Sequence, residues 1–201
     1  MAKVRKAKSG ERKAERPNWD EFFIIQALFY STRGTCDRLH TACVLVKDKI
    51  IVGAGYNGSL PGEPHCDDVG HLMAGGHCVR TMHAEANAIR NCKDQAALAG
   101  ATAYVIHTPC LLCLKALISY GVSRIVFTSP YDNTSYQWSE DEGLKTFVES
   151  LKHNKAISIE FLRINFVKLL QKFIDRLQGP GGALERLPKI GIHSGRNPNS
   201  R

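Results

Sequence analysis

Two short motifs constrain this chain more than any other feature. His83-Ala84-Glu85 and Thr108-Pro109-Cys110-Leu111-Leu112-Cys113 each follow an apolar segment and open a stretch of helical composition. Either motif alone is weak: a Cys-x-x-Cys pair serves redox chemistry as well, and His-x-Glu recurs by chance. Together they supply three ligands of the kind zinc takes. A catalytic zinc site uses three protein ligands and leaves a fourth position for water. The spacing of Cys110 and Cys113 puts both sulfurs on one helical turn. There the helix dipole and a metal both favour the thiolate. Glu85, two residues past His83, points near the metal without ligating it and is free to move protons. A closed structural zinc knot has no use for such a carboxylate.

The rest of the chain alternates regularly. "PNWDEFFIIQALFY" reads as a helix in which Asn18 and Glu21 form a capping-box pattern. "TACVLVKDKIIVGAG" reads as two short strands about a tight turn at Asp48. "YNGSLPGEPHCDDVGH" is a long loop marked by Asn57-Gly58 and Pro61-Gly62. "MHAEANAIRNC" is helical, "ATAYVIHT" a strand, and "PCLLCLKALISYG" a helix with Pro109 at its start and Gly121 at its end. "RIVFTS" is a buried strand, "SEDEGLKTFVESL" a helix, "AISIEFL" a strand and "NFVKLLQKFIDRLQ" an amphipathic helix. A strand hairpin followed by alternating helix and strand predicts an α/β fold, a mixed sheet with helices on both faces.

Charge locates the boundaries. The net charge is +8, yet residues 1–16 hold seven Lys/Arg against two Glu, and 179–201 hold four against one. Residues 17–178 are therefore balanced, sixteen basic to sixteen acidic. This predicts a basic flexible arm at 1–16, a catalytic domain at 17–178 and a flexible tail at 179–201. A neutral core argues against a folded nucleic-acid groove. No apolar run is long enough to span a membrane, and the basic start lacks the apolar segment of a secretory signal. The expectation is a cytoplasmic protein. Seven cysteines there point to metal or catalysis rather than to disulfides.

His-x-Glu followed by Pro-Cys-x-x-Cys is the signature of zinc deaminases that act on nucleobases. It implies hydrolytic deamination. Zinc lowers the pKa of a bound water to about 7. Glu85 accepts that water's proton, delivers it to a ring nitrogen, and later protonates the leaving ammonia.

Longer stretches narrow the class. "RPNWDEFF", "STRGTCDR", "GYNGSLPG", "HCDDVGH", "GHCVRTMHAEANAI", "TPCLLC" and "SPYD" resemble the deoxycytidylate (dCMP) deaminase family, in its bacterial and phage form, over about residues 16 to 162. The resemblance implies a three-layer α/β/α sandwich around a five-stranded mixed sheet, the cytidine deaminase-like fold. It implies conversion of dCMP to dUMP for thymidylate synthesis, hexameric assembly, activation by dCTP with Mg²⁺ and inhibition by dTTP. It carries zinc ligation to His83, Cys110 and Cys113, and proton transfer to Glu85. Arg38 matches an arginine that binds the substrate phosphate, Asn57 a nucleotide contact, and Tyr131 a tyrosine that closes over the site. The chain departs from the family at Thr41-Ala42-Cys43, where Val-Gly-Ala is common, and at Leu111.

The same resemblance implies a second zinc. In related sequences, positions like Cys36, Cys66, His71 and Cys78 hold one, and three thiolates with one imidazole would close a structural site. Such a metal would fold a loop with too little apolar content to fold alone. His65 and His77, each beside a cysteine, remain open alternatives for the fourth ligand. Cys43 and Cys92 fit apolar patterns and read as core, and His107 falls near the catalytic zinc by its place at a strand end.

Two other readings share parts of this pattern. A tRNA adenosine deaminase carries the same zinc signature and would profit from basic tails; the neutral core and the long Cys/His loop count against it. A non-enzymatic zinc-binding module would bind a partner through its tails, and Glu85 beside an open three-ligand site counts against that.

Overall fold

Asp48 and Lys49 both adopt positive φ, 50° and 66°. That is the backbone a two-residue hairpin needs to match strand twist. They join β1 (Ala42–Lys47) to β2 (Ile50–Tyr56) in an antiparallel pair, Val44 opposite Ala54. The computed structural model describes residues 14–74, 77–130, 142–153 and 157–192. Before the hairpin comes helix α1 (Trp19–Ser31). After it the chain runs through β3 (Gly58–Ser59), a four-residue helix α2 (Cys66–Val69), β4 (Met73–Ala74), β5 (His77–Cys78) and β6 (Thr81–Met82). Helix α3 (Ala84–Asn91) and a short 3₁₀ turn (Gln95–Leu98) lead into β7 (Thr102–His107). Then follow α4 (Leu111–Ser119), β8 (Arg124–Ser129), α5 (Glu142–His153), β9 (Ser158–Phe161) and α6 (Phe166–Gln178).

Five strands form one mixed sheet in the order β2-β1-β7-β8-β9. Strand β1 runs antiparallel to both neighbours, while β7, β8 and β9 are parallel. Side chains alternate between its faces. Cys43, Leu45, Ala103, Val105 and Ile125 enter one core with Ala88 of α3, Leu114 and Leu117 of α4, and Val148 of α5. Val44, Tyr104 and Val126 point the other way and are buried too. There α1 packs, its Phe23 ring 5.3 Å from that of Tyr104. Helices thus cover both faces, giving the α/β/α sandwich. Burying a Leu or Ile side chain fully contributes about 1.5–3 kcal/mol.

Arg124 ties this frame together at the sheet's α1 face. Its two terminal nitrogens donate to the Asp20 carboxylate at 2.8 and 2.9 Å, and its Nε to Glu160 at 2.9 Å. Tyr104 Oη also donates to Asp20, at 2.6 Å. One guanidinium therefore links the first turn of α1, β8 and β9. Its hydrogen bonds hold both carboxylates below their ordinary range.

The described residues fall into two compact units, one of Trp19–Ile164, the other joining the residues up to Asn18 with those from Asn165 on. In the second unit Asn165 caps α6, its side chain accepting from Lys168 N at 3.0 Å, and Lys172 pairs with Glu15 at 2.8 Å. Within the 179–201 stretch, the described residues 179–192 carry turns bonded to α6. Leu184 N donates to Leu177 O, Ile190 N to Gln178 Oε1 and Ile192 N to Gln171 Oε1. Two glutamine amides satisfy backbone that composition alone leaves open. The start of α4 differs from the sequence reading: Pro109 lies before it, and Cys110 is its cap. Gly121, at φ 85°, sits just past its end, where only glycine is unstrained.

The Arg124 clamp has a defined pH dependence. Both partner carboxylates have depressed folded values, so their stabilisation is complete above the unfolded values of about 3.9 and 4.3 and is lost as pH falls through the lower folded ones. Arg124→Met is expected to cost about 1–2 kcal/mol at pH 7, a discounted figure because the groups are about one-third exposed. Urea unfolding at pH 7 and at pH 3 should show that deficit shrinking at the lower pH.

Candidate active site and metal centres

The site begins with two glycines. A Cβ on Gly55 would stand 2.3 Å from Ala88 N and 2.6 Å from Ala84 O; one on Gly53 would stand 2.6 Å from Ala88 O. Helix α3 therefore lies with its backbone directly on β2, a fit that also needs the small Ala84 and Ala88 on the helix side. Such contact fixes the helix start, where His83 is the cap residue and Glu85 lies in the first turn.

The second helix start arrives from β7. Cys110 caps α4, and its sulfur accepts from Cys113 N at 3.5 Å. His83 Nδ1 lies 3.4 Å from Cys110 Sγ and 3.3 Å from Cys113 Sγ. Hydrogen bonding from Cys113, and then His83, holds the Cys110 thiol down at about 4 against the cost of burial. Cys113 is pushed up, by Cys110 and by burial. The Cys110 contact raises His83 above its ordinary value. Glu85 is buried, 4% exposed, and burial is what pushes its carboxyl up.

A second donor group assembles from four separate points along the chain. Cys36 precedes β1, Cys66 opens α2, His71 follows α2 and Cys78 ends β5. Cys36 Sγ lies 3.6 Å from His71 Nδ1, and Cys66 Sγ 3.4 Å from Cys78 Sγ. Burial, with Cys78 next, pushes Cys66 up to about 12. Cys78 is brought down to about 6: burial works against this, and the Arg80 amide and Cys66 outweigh it. Among the described residues these two sets are the groups of three or more His, Cys, Asp or Glu donors whose atoms lie within 4.8 Å of one another. That span suits a tetrahedral zinc with bonds of about 2.0–2.3 Å, and thiolate with imidazole is the donor chemistry zinc takes. Of the three histidines that spacing leaves open as fourth donor, His71 is the one in the group. His65 is the cap residue of α2, and His77 lines the neighbouring pocket.

One pocket joins both groups. Its lining includes Cys36 and Cys78 of one group and His83 and Cys110 of the other, together with Glu85, Arg38, Asn57, His77 and His107. Arg38 Nη1 donates to Met73 Sδ at 3.2 Å. Asn57 is buried and works on the backbone: Oδ1 accepts from Thr41 N at 3.0 Å, and Nδ2 donates to Leu39 O at 2.6 Å. It holds the loop that carries Arg38. Burial lowers His107 and favours the neutral imidazole. Cys43 and Cys92 are buried in the core. Tyr131 lies outside the described residues. Nothing in the spacing singles out Asp37, whose Oδ1 stands 3.0 Å from His71 Nε2.

Residues 17–129 match the family model of the cytidine and deoxycytidylate deaminase zinc-binding region. The chain belongs to this family. The ComE operon protein 2 of Bacillus subtilis is 35% identical over 177 residues, 88% of this chain and 93% of that relative. The deoxycytidylate deaminase of Mycobacterium phage D29 is 36% identical over 124 residues, 56% of this chain and 95% of that one. Among solved structures, the dCMP deaminase of cyanophage S-TIM5 in complex with dCMP and dUMP shares the fold, with TM-score 0.57 at 22% identity, covering 74% of this chain and 99% of that one. The matched region, described as zinc-binding, contains both Cys/His groups of this chain.

The glycine contact is open to test. Gly55→Ala forces α3 off β2 and is expected to destabilise the fold by about 1–3 kcal/mol or more. Because His83 moves with α3, metal content after purification should fall in the same variant. A protein of unchanged stability and zinc content would contradict this account of the site's foundation.

Proposed function

We propose that this chain is a zinc-dependent deoxycytidylate deaminase, converting dCMP and water to dUMP and ammonia and so supplying dUMP for thymidylate synthesis. The observation that carries this reading is the buried Glu85 carboxylate beside the His83, Cys110 and Cys113 donors, in a pocket that also takes in Arg38. The phage D29 relative, which carries the name deoxycytidylate deaminase, supports the choice of substrate.

His83 through Nδ1, with Cys110 and Cys113 through their sulfurs, would hold the metal. When bound, zinc supplies a Lewis acid that brings water to a pKa of about 7 and leaves one coordination position open. The remaining steps belong to the chain. Glu85 takes the proton of the attacking water and delivers it to N3 of the cytosine as water adds to C4. Glu85 then takes the proton of the hydroxyl added at C4 and passes it to the amino nitrogen. The C4–N bond breaks, ammonia leaves, and C4 keeps the oxygen as the uracil carbonyl. Burial raises the Glu85 carboxyl toward the working pH, which is what a group that both takes and gives a proton needs. Arg38 would grip the 5′-phosphate, since a guanidinium meets phosphate with a planar fork. Asn57 holds the Leu39–Thr41 loop in place beside the nucleotide. Tyr131 is assigned to closing over the site.

Cys36, Cys66, His71 and Cys78 would hold a second, structural zinc. Four ligands close its shell and leave no place for water. The reading extends to activation by dCTP with Mg²⁺, inhibition by dTTP, hexameric assembly and a cytoplasmic location. An activity assay with and without those nucleotides, and sedimentation of the purified protein, test the first three.

Two outcomes follow. Glu85→Gln is expected to keep its zinc and lose turnover of dCMP by at least about 100-fold, the scale of general acid–base catalysis; ammonia release near the parent rate would sink the assignment. Metal analysis is expected to give about two zinc ions per chain, as one catalytic and one structural site require. A clean value of one would remove the structural site.

A further inference from the structure

Asp37 lies between Cys36, a donor of the second group, and Arg38, which lines the pocket. Its carboxylate is mostly exposed, yet Oδ1 stands 3.0 Å from His71 Nε2. An ionised carboxylate only accepts hydrogen bonds, so the nitrogen facing it carries the proton. In neutral His71 that leaves Nδ1 with its lone pair. Nδ1 is the nitrogen that faces Cys36 Sγ, at 3.6 Å. The contact therefore selects the tautomer, and fixes the ring orientation, that turn a donor toward the three sulfurs.

We infer that Asp37 is a positioning residue: it holds the His71 imidazole ready for the metal of the Cys36–Cys66–His71–Cys78 group and, through the Cys36–Arg38 segment, sets where Arg38 stands. The inference rests on the structural-zinc reading above. The segment is pinned at both ends. Cys36 is bound into the donor group, and Leu39 and Thr41 are bonded by Asn57. Arg38 hangs between these anchors and reaches Met73 on β4, whose pairing partner β5 carries Cys78. A loosened His71 therefore relaxes the metal, Cys36 and Arg38 together. Carboxylates that orient a ligating histidine in this way typically change metal affinity by about 10–100-fold.

The test uses the full-length zinc-loaded protein, with Asp37→Ala and Asp37→Asn compared with the parent. A chromogenic chelator follows release of the two zinc equivalents, and steady-state kinetics on dCMP are measured alongside. Asp37→Ala is expected to release one equivalent about 10-fold faster or more, with the other equivalent unchanged. Its KM for dCMP should rise several-fold at nearly constant kcat. Asp37→Asn, which keeps an acceptor oxygen, should recover part of both effects. Equal release rates in parent and Asp37→Ala would overturn the inference and leave the contact as a surface ion pair. Faster release with an unchanged KM would overturn its Arg38 half. A parent protein with a single zinc overturns the structural-zinc reading itself, and that result is visible before any variant is made.

Discussion

Everything chemical in this molecule depends on two helix starts meeting within hydrogen-bonding distance of each other. His83 comes from the start of α3, and Cys110 and Cys113 come from the start of α4. The imidazole nitrogen stands 3.3 to 3.4 Å from both sulfurs. Such a meeting is demanding because the two starts reach it by different routes. One rests on backbone contact with β2 through Gly53 and Gly55; the other continues from β7 at the centre of the sheet. A side chain on either glycine would lift α3 and separate the donors. The site's precision therefore lies in the packing of strand against helix, more than in the loops around it.

The two donor groups both contribute to the lining of one pocket and differ in what they can do. The Cys36–Cys66–His71–Cys78 group offers four donors and has no buried acid among them. The His83–Cys110–Cys113 group offers three and has Glu85 beside it. A metal with its shell closed by protein can only hold; one with a position free can bind a reactant. Asn57 adds a third kind of support, using both ends of its amide on the Leu39–Thr41 backbone.

Much of this was legible in the sequence, because the strongest signals are local. The hairpin at Asp48, the strand "RIVFTS" and the His-x-Glu and Cys-x-x-Cys helix starts all follow from short patterns, and the family resemblance added the five-stranded sheet and the expected substrate. What escaped was decided by contacts far apart in the chain. Asp37 looks like any exposed acid until His71 is brought to it. Arg124 looks like a strand-edge charge until Asp20 and Glu160 close on it from α1 and β9. Pro109 suggested that α4 starts one residue before Cys110, but the cap is the sulfur-bearing residue itself. The segment 179–192 has the composition of a free tail, yet Gln171 and Gln178 give its backbone partners.

The order of the donors along the chain carries a last consequence. The four-donor group takes its donors from Cys36 to Cys78, and the three-donor group takes its own from His83 to Cys113. Only Val79–Met82 lies between them, and Thr81–Met82 of this link pairs with Gly58–Ser59. The two closures are consecutive and never interleave. Neither has to thread through the other, and the entropy of closing each loop is set by its own length. A ribosome would deliver all four donors of the first group before the second pair of sulfurs emerges. The chain is thus laid out so that the scaffold of the pocket can be complete before its reactive half arrives.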